Sequence, residues 1–166
     1  MRLPSFITKP LLRWAERVQA SRPPDRRIGP TDAPYMERWH IYRNNKLGGL
    51  YLHVFHHDDD DRALHDHPFR SLSISIDGEM REIYAENGSD PKDTKQHSAR
   101  IVRTGKVVAR GGRFSHRMEL LTDTATTLFF IGPHFRDWGF HCPRGWRSWR
   151  DYCDPLDPNK VGPGCD

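Results

Sequence analysis

The stretch Leu64-His65-Asp66-His67-Pro68-Phe69-Arg70-Ser71 contains the two histidines around which the fold is expected to be organised. Side chains alternate along a β-strand, so His65 and His67 on one strand would share a face. Two neutral imidazoles on one face are an economical way to bind a single metal ion. Asp66 lies between them and is expected to point to the opposite face.

A third imidazole is available at His116, in the strand-like segment Phe114-Ser115-His116-Arg117-Met118-Glu119-Leu120. Three histidines with an open position make up one form of catalytic metal site. The predicted metal ligands are therefore His65, His67 and His116. The donor set does not fix the metal, because imidazoles accept zinc, iron, copper, nickel and manganese.

Length and composition indicate one polar domain. The chain has 166 residues, of which 36% are hydrophobic, and its mean hydropathy is −0.81. No run approaches the ~18 apolar residues of a membrane-spanning helix. Residues Met1 to Val18 are basic and amphipathic but lack the apolar core and cleavage site of a signal peptide. We therefore expect neither a signal peptide nor a membrane anchor.

The three cysteines, Cys142, Cys153 and Cys165, are an odd number without CxxC spacing. This pattern does not predict a disulfide framework, and a reducing cytoplasm is the expected location. The net charge of +4 and the pI near 9.1 permit an anionic partner. Basic residues are spread along the chain rather than clustered with aromatic residues, so an anionic small molecule is favoured over nucleic acid.

Apolar residues at helical spacing between Pro4 and Ala20 predict an amphipathic helix, with Pro10 as a possible interruption. The following segment is rich in Pro, Arg, Asp and Gly and is typical of a connector. The predicted organisation is an N-terminal helix and connector over residues 1–34, a β-domain over 35–150 and a C-terminal tail over 151–166.

Short strand-like runs separated by Gly and Asp turns follow, and Asp77-Gly78 predicts a hairpin between two of them. This pattern predicts an all-β antiparallel barrel or sandwich. The runs are 38–42, 49–55, 71–77, 80–85, 99–102, 106–109, 117–122, 125–131 and 138–141.

If the strand that carries His65 and His67 runs on unbroken, Ser71, Ser73 and Ser75 also face inward. Three apolar side chains on the same run then face outward and need a cover, either the N-terminal helix or a second subunit. We therefore expect a homodimer. The outward side chains are Leu72, Ile74 and Ile76.

These features together resemble the cupin superfamily, small jelly-roll barrels that hold a metal inside. The first cupin motif has Gly, His-x-His, Glu and Gly in that order. Here His65, His67 and Gly78 are in register, whereas Ser71 takes the Glu position and Asp59 that of the first Gly. The chain is also similar to bacterial and phage-encoded cupin-like proteins with a His-Asp-His-Pro segment.

The second cupin motif usually ends in Pro-x-Gly-x-x-His-x-x-x-Asn, and Gly111-Gly112-Arg113-Phe114-Ser115-His116 keeps its bend and its histidine. The resemblance covers residues 49–141 and implies a double-stranded β-helix. Because the motif Glu is missing, the site resembles the three-histidine iron site of thiol dioxygenases. A carboxylate from Asp61, Glu82 or Glu119 stays an alternative, although regular alternation turns Glu119 away from His116.

The function that this resemblance implies is iron-dependent oxygenation of a small polar or anionic substrate. Fe(II) is the favoured ion, with Zn, Mn or Ni as alternatives, and Arg117, Arg136 or His141 would orient the substrate. A metal-dependent isomerase or hydrolase is a second enzymatic option. A non-catalytic ligand-binding or regulatory cupin and a partner-interaction protein are the others. His53 and His56 are candidates for the pocket wall, and Asp58 to Asp61 is expected to be a solvated turn.

Overall fold

The structure is a computed structural model that describes residues 1–30, 32–44, 46–59, 63–157, 159–160 and 162–166. It contains two helices, a short 3-10 turn at Thr94–Gln96 and a series of strands, as predicted for an all-β fold. The helices and strands are α1 (Ser5–Ser21), β1 (Arg26–Ile28), β2 (Met36–Asn44), β3 (Gly48–Phe55), β4 (Leu64–His65), β5 (Ser71–Asp77), β6 (Glu79–Ala85), β7 (His97–Arg103), β8 (Val107–Arg110), β9 (His116–Leu120), β10 (Ala125–Ile131), β11 (Gly139–Cys142), β12 (Gly145–Ser148) and α2 (Trp149–Tyr152).

The strands form two antiparallel six-stranded sheets that face each other. The first sheet has the order β1-β2-β3-β10-β5-β8, and the second has the order β12-β11-β4-β9-β6-β7. Consecutive strands repeatedly pass from one sheet to the other, which is the connectivity of a double-stranded β-helix. The predicted jelly-roll architecture is confirmed.

The predicted hairpin at Asp77-Gly78 is wrong, because β5 belongs to the first sheet and β6 to the second. Gly78 turns this corner with φ +74°, and a Cβ atom there would lie 2.3 Å from the carbonyl oxygen of Thr124. Only glycine adopts this conformation in so little space. The Asp-Gly pair correctly predicted a turn, but the strand that follows the turn belongs to the other sheet.

The N-terminal helix covers the outer face of the first sheet. It continues through Pro10, and Ala15 at its centre is fully buried against the sheet. Ile74 and Ile76 of β5 pack in the same apolar cluster, so the helix supplies the cover predicted for them. Beyond the helix, four apolar side chains on neighbouring strands are register partners and form a row across the sheet. Phe130, near the centre of this row, is 38% exposed. The row consists of Tyr42, Leu50, Phe130 and Leu72.

The space between the sheets is apolar in one part and polar in another. Met80 and Met118 of the second sheet pack against Val108 and Ala125 of the first. Elsewhere the interior holds buried hydroxyl, imidazole and charged groups. These are Ser71, Ser73, Ser75, Glu82, Arg110, His53 and His116. The predicted inward position of the three serines agrees with their burial. The unbroken strand from which it was argued is wrong, because β4 ends at His65 in the second sheet and β5 begins at Ser71 in the first.

The expectation that the cysteines form no disulfide is wrong. Cys142 on β11 is bonded to Cys165 near the C-terminus, and Cys153 takes no part in this disulfide. Spacing along the sequence could not reveal this pair, because the chain folds back to bring the two residues together. The bond ties the C-terminal tail to the second sheet and removes the observation on which the cytoplasmic expectation rested. Within the described residues, no helix has the length and apolarity to cross a bilayer.

Candidate metal centre

Short strands of the second sheet bring the three predicted histidines together. His65 on β4 is the register partner of His116 on β9, and their ring centroids are 5.0 Å apart. His67 follows β4, where its backbone N–H donates to the carbonyl of Gly112 at 3.3 Å. A Cβ atom at Gly112 would lie only 3.1 Å from the carbonyl oxygen of His67. Glycine therefore allows the backbone of this bend to lie close to the histidine segment.

The ring nitrogens converge on one point. Nε2 of His67 and Nε2 of His116 are 2.9 Å apart, and one nitrogen from each of the three rings lies within 4.8 Å of the others. Two nitrogens at about 2.1 Å from one ion, in adjacent positions at 90°, are separated by ~3.0 Å. The three imidazoles therefore fit the first coordination shell of a divalent metal.

Glu82 fixes the orientation of His116. Its Oε1 atom lies 2.7 Å from Nδ1 of His116, and its side chain is fully buried. At this distance the carboxylate favours a proton on Nδ1 of His116, which leaves the lone pair of Nε2 directed toward the other histidines. Two arginines hold the carboxylate in place, because Nε of Arg110 and Nε of Arg100 each donate to it at 2.5 Å. Glu82 supports the site from behind and is not part of the metal-binding group.

Asp59 occupies a similar position behind His65. Its Oδ2 atom is 3.4 Å from Nδ1 of His65, and its side chain is buried. Asp59 thus lies behind His65 as Glu82 lies behind His116. The expectation of a solvated turn at Asp58 to Asp61 is wrong for Asp59, whereas Asp58 is exposed and accepts from the backbone N–H of Leu120. Asp61, one of the alternative carboxylates, lies outside the described residues.

Burial keeps the imidazoles of His67 and His116 neutral, as metal ligands must be. It lowers the pKa of His116 to about 3, although the hydrogen bond to Glu82 acts in the opposite direction. Burial and the neighbouring histidines also hold the pKa of His67 well below its usual range. Burial alone would raise the pKa of Glu82, but the hydrogen bond from His116 and the charge of Arg110 outweigh it, so the net pKa is lowered. At neutral pH the site combines neutral imidazoles with a charged carboxylate behind them.

A cavity of about 890 Å³ adjoins the site. His65 and His67 form part of its wall, together with aromatic side chains such as Tyr51, Phe69 and Phe129. The C-terminal tail contributes Cys165 and other residues to the same wall, so the disulfide places the tail at the cavity. The cavity is large enough for a small organic ligand beside the metal position.

Among the described residues, the cationic side chains that line this cavity are Arg26, Arg38, Arg43 and Lys160. The described acidic residues of the wall are Asp59 and Asp166. Arg38 projects from β2, and its Nε donates to Nε2 of His53 at 2.9 Å. Burial lowers the pKa of His53 well below its usual range, so this partner is neutral. His53 and His56 were the two histidines predicted for the pocket wall. His53 contacts the wall residue Arg38, whereas Nε2 of His56 lies 3.2 Å from Oε2 of Glu37.

The structure places Arg136 and His141 against Asp66. Nη1 of Arg136 and Nε2 of His141 lie 3.1 and 3.3 Å from its Oδ2 atom. Asp66 is buried and also accepts from the backbone N–H of Gly139 and from Nε1 of Trp146, so it points away from the metal group as predicted. This carboxylate anchors β11 and β12 to β4.

Arg117 is placed against Glu119, with 2.8 Å between Nη2 and Oε1. Glu119 also pairs with Arg81, on the side of β9 away from the metal group. None of Arg117, Arg136 and His141 belongs to the wall of the cavity. Their role in orienting a substrate stays a prediction. Sequence analysis did not identify Arg38, because the residues around it in the strand do not show whether a carboxylate lies near it in the folded chain.

Comparison with known proteins identifies the fold. No protein-family model and no curated protein matches the chain. Oxalate decarboxylase of Bacillus subtilis, a protein with Mn(II) centers, superposes with a TM-score of 0.51 at 14% identity, over 73% of this chain and 30% of that one. A Klebsiella pneumoniae protein with a double-stranded beta-helix domain gives a TM-score of 0.50 at 14% identity, over 67% of this chain and 87% of that one.

A crystal structure of Fe(II)-HppE with an alternative substrate gives a TM-score of 0.48 at 13% identity, over 61% of this chain and 52% of that one. The chain therefore spans about a third of the oxalate decarboxylase and half of HppE. At such identities the likeness shows the fold alone. Together with the sheet topology, the likeness to the Bacillus subtilis and Klebsiella pneumoniae proteins establishes that this chain has a double-stranded β-helix fold.

Proposed function

We propose that the chain is a metal-dependent cupin that holds one divalent ion on His65, His67 and His116. The observation that carries this proposal is the convergence of three imidazole ring nitrogens within 4.8 Å of one another. Carboxylates behind two of the rings support it, because such partners orient histidine ligands and raise their basicity. Packing alone does not require this arrangement of buried polar groups.

Fe(II) and an oxygenase reaction on a small polar or anionic substrate fit the site best. Three imidazoles carry no charge and leave coordination positions open, and an ion bound there would supply Lewis acidity and a place for dioxygen. The adjoining cavity of about 890 Å³ supplies room for a substrate, and its wall is rich in cationic side chains. A non-catalytic ligand-binding cupin would share the metal and the cavity but would lack turnover.

The test is anaerobic loading with Fe(II), followed by electron paramagnetic resonance with nitric oxide as a probe of open positions. We expect one iron per chain and a high-spin iron–nitrosyl signal, which His65→Ala abolishes and His56→Ala retains. Iron that binds stoichiometrically but gives no signal with nitric oxide would indicate a closed, structural site. Failure of iron to bind while zinc or manganese binds would favour the hydrolase or isomerase alternative.

A further inference from the structure

Arg38 is a cation inside the cavity without an anionic partner. Among the described residues, no carboxylate oxygen lies within ion-pair distance of its guanidinium, and His53 is its hydrogen-bond partner. Arg110, which is buried between the sheets, is paired with Glu82 at 2.5 Å. Arginines removed from solvent are ordinarily paired, whereas Arg38 is half-buried in the cavity wall without such a partner among the described residues.

The surroundings of Arg38 hold it in place without neutralising it. Nε is occupied by His53, whose pKa is held well below its usual range by burial, so His53 carries no compensating charge. The guanidinium carbon lies 5.3 Å from the ring centroid of Tyr51, which is a favourable cation–π position. Both partners are buried. The side chain is therefore preorganised by contacts that leave its terminal N–H groups for another partner.

Arg38 also lies close to the metal group. It shares the cavity wall with His65 and His67. The ring of Phe129 is near both groups, because its centroid is 5.0 Å from that of His53, the partner of Arg38, and 6.2 Å from that of His67. A small molecule that spans this part of the cavity would contact the guanidinium and the metal position together.

We propose that Arg38 is the anion-binding residue of this cavity, and that the ligand is a small molecule with a carboxylate or a phosphate-type group at the end opposite the metal. The terminal N–H groups of a guanidinium match two oxygens of such a group. This inference rests on the proposed function for the role of the metal, but the anion site itself does not require metal to be bound. It assigns the charge recognition to Arg38 rather than to Arg117 or Arg136.

The experiment is isothermal titration calorimetry of the metal-loaded protein with inorganic phosphate and, separately, with acetate. Arg38→Gln is expected to weaken the binding of at least one of these anions by about tenfold to a hundredfold. Arg43→Gln is the matched control, because it removes the same charge from an exposed position on the same wall. The control is expected to change the affinity by less than about threefold, since exposed charges are screened.

Equal weakening by both variants would overturn the proposal, because it would indicate diffuse attraction by the cavity. Unchanged affinity in Arg38→Gln would also overturn it. Arg38→Lys keeps the charge but loses the planar fork, so it tests the same idea if the glutamine variant folds poorly. We expect this variant to bind phosphate several-fold more weakly than the wild type and to melt at a similar temperature.

Metal content separates this inference from the proposed function. The double variant His65→Ala, His116→Ala is expected to lose the metal and still bind phosphate or acetate through Arg38. Conversely, Arg38→Gln is expected to keep the metal content of the wild type. If the double variant loses anion binding and Arg38→Gln does not, the anion binds to the metal alone and the assignment to Arg38 is wrong.

Discussion

Replacing Glu82 by Gln would test how the interior charges support the metal group. The substitution keeps the size of the side chain but removes the charge that Arg110 and His116 contact. Glu82 is fully buried, and the side chain of Arg110 is 3% exposed, so the arginine would be left as an uncompensated buried charge. Arg100 is 32% exposed, and its share is reduced by solvent screening.

Removing one partner of a buried ion pair costs about 3–5 kcal/mol, so we expect the free energy of unfolding to fall by that amount in Glu82→Gln. For a chain of this size the melting temperature would fall by ~10 °C. Loss of the group behind His116 would also weaken metal binding by about tenfold to a hundredfold. Chemical denaturation and competition with a metal indicator measure the two effects.

Glu119→Gln is the control, because Glu119 pairs with Arg81 and Arg117 on the outer side of the neighbouring strand. Partly exposed pairs contribute at most ~1 kcal/mol, and this change is expected to leave metal affinity unaltered. If Glu82→Gln unfolded with the same free energy as Glu119→Gln and bound metal as tightly, the support assigned to Glu82 would be wrong.

Three further predictions concern pH, the disulfide and assembly. In metal-free protein, His53, His67 and His116 have lowered pKa values in the folded state. The unfolded state therefore binds more protons than the folded state below pH 6.5. The free energy of unfolding should therefore fall there by about 1.4 kcal/mol per pH unit for each histidine, and a flat urea-unfolding profile from pH 4 to 7 would contradict this. Cys165→Ser should cost about 3 kcal/mol through loss of a cross-link between residues 23 apart, whereas Cys153→Ser should cost little, and equal melting temperatures would contradict it. We also propose that the exposed row around Phe130 forms a homodimer, so that light scattering gives twice 19.4 kDa and Phe130→Glu gives a monomer; a monomeric wild type would refute this.

The sequence alone was sufficient for the fold class and for the convergence of the three histidines. His-x-His and the bend before His116 are local features that could be read directly, although β4 ends at His65 and His67 follows the strand. Alternation along strands placed Asp66 on the opposite face and turned Glu119 away, and both placements agree with the structure. The apolar face of β5 correctly predicted a cover, which the N-terminal helix supplies.

Features that depend on distant contacts could not be predicted in this way. A turn signal at Asp77-Gly78 does not tell whether the next strand returns to the same sheet. The carboxylate behind His116 was one of several alternatives, because its position depends on the register between β6 and β9. The pairing of Cys142 with Cys165 depends on the path of the tail. Whether Arg38 has an anionic partner depends on where the fold places the carboxylates.

The most direct test of the central claim is metal analysis by mass spectrometry on protein purified without a nickel column. The wild type is compared with the double variant His65→Ala, His116→Ala and with the control His56→Ala, which removes a histidine outside the metal group. We expect close to one divalent ion per chain in the wild type and the control, and its loss in the double variant. Equal, low metal content in all three proteins would contradict the three-histidine site.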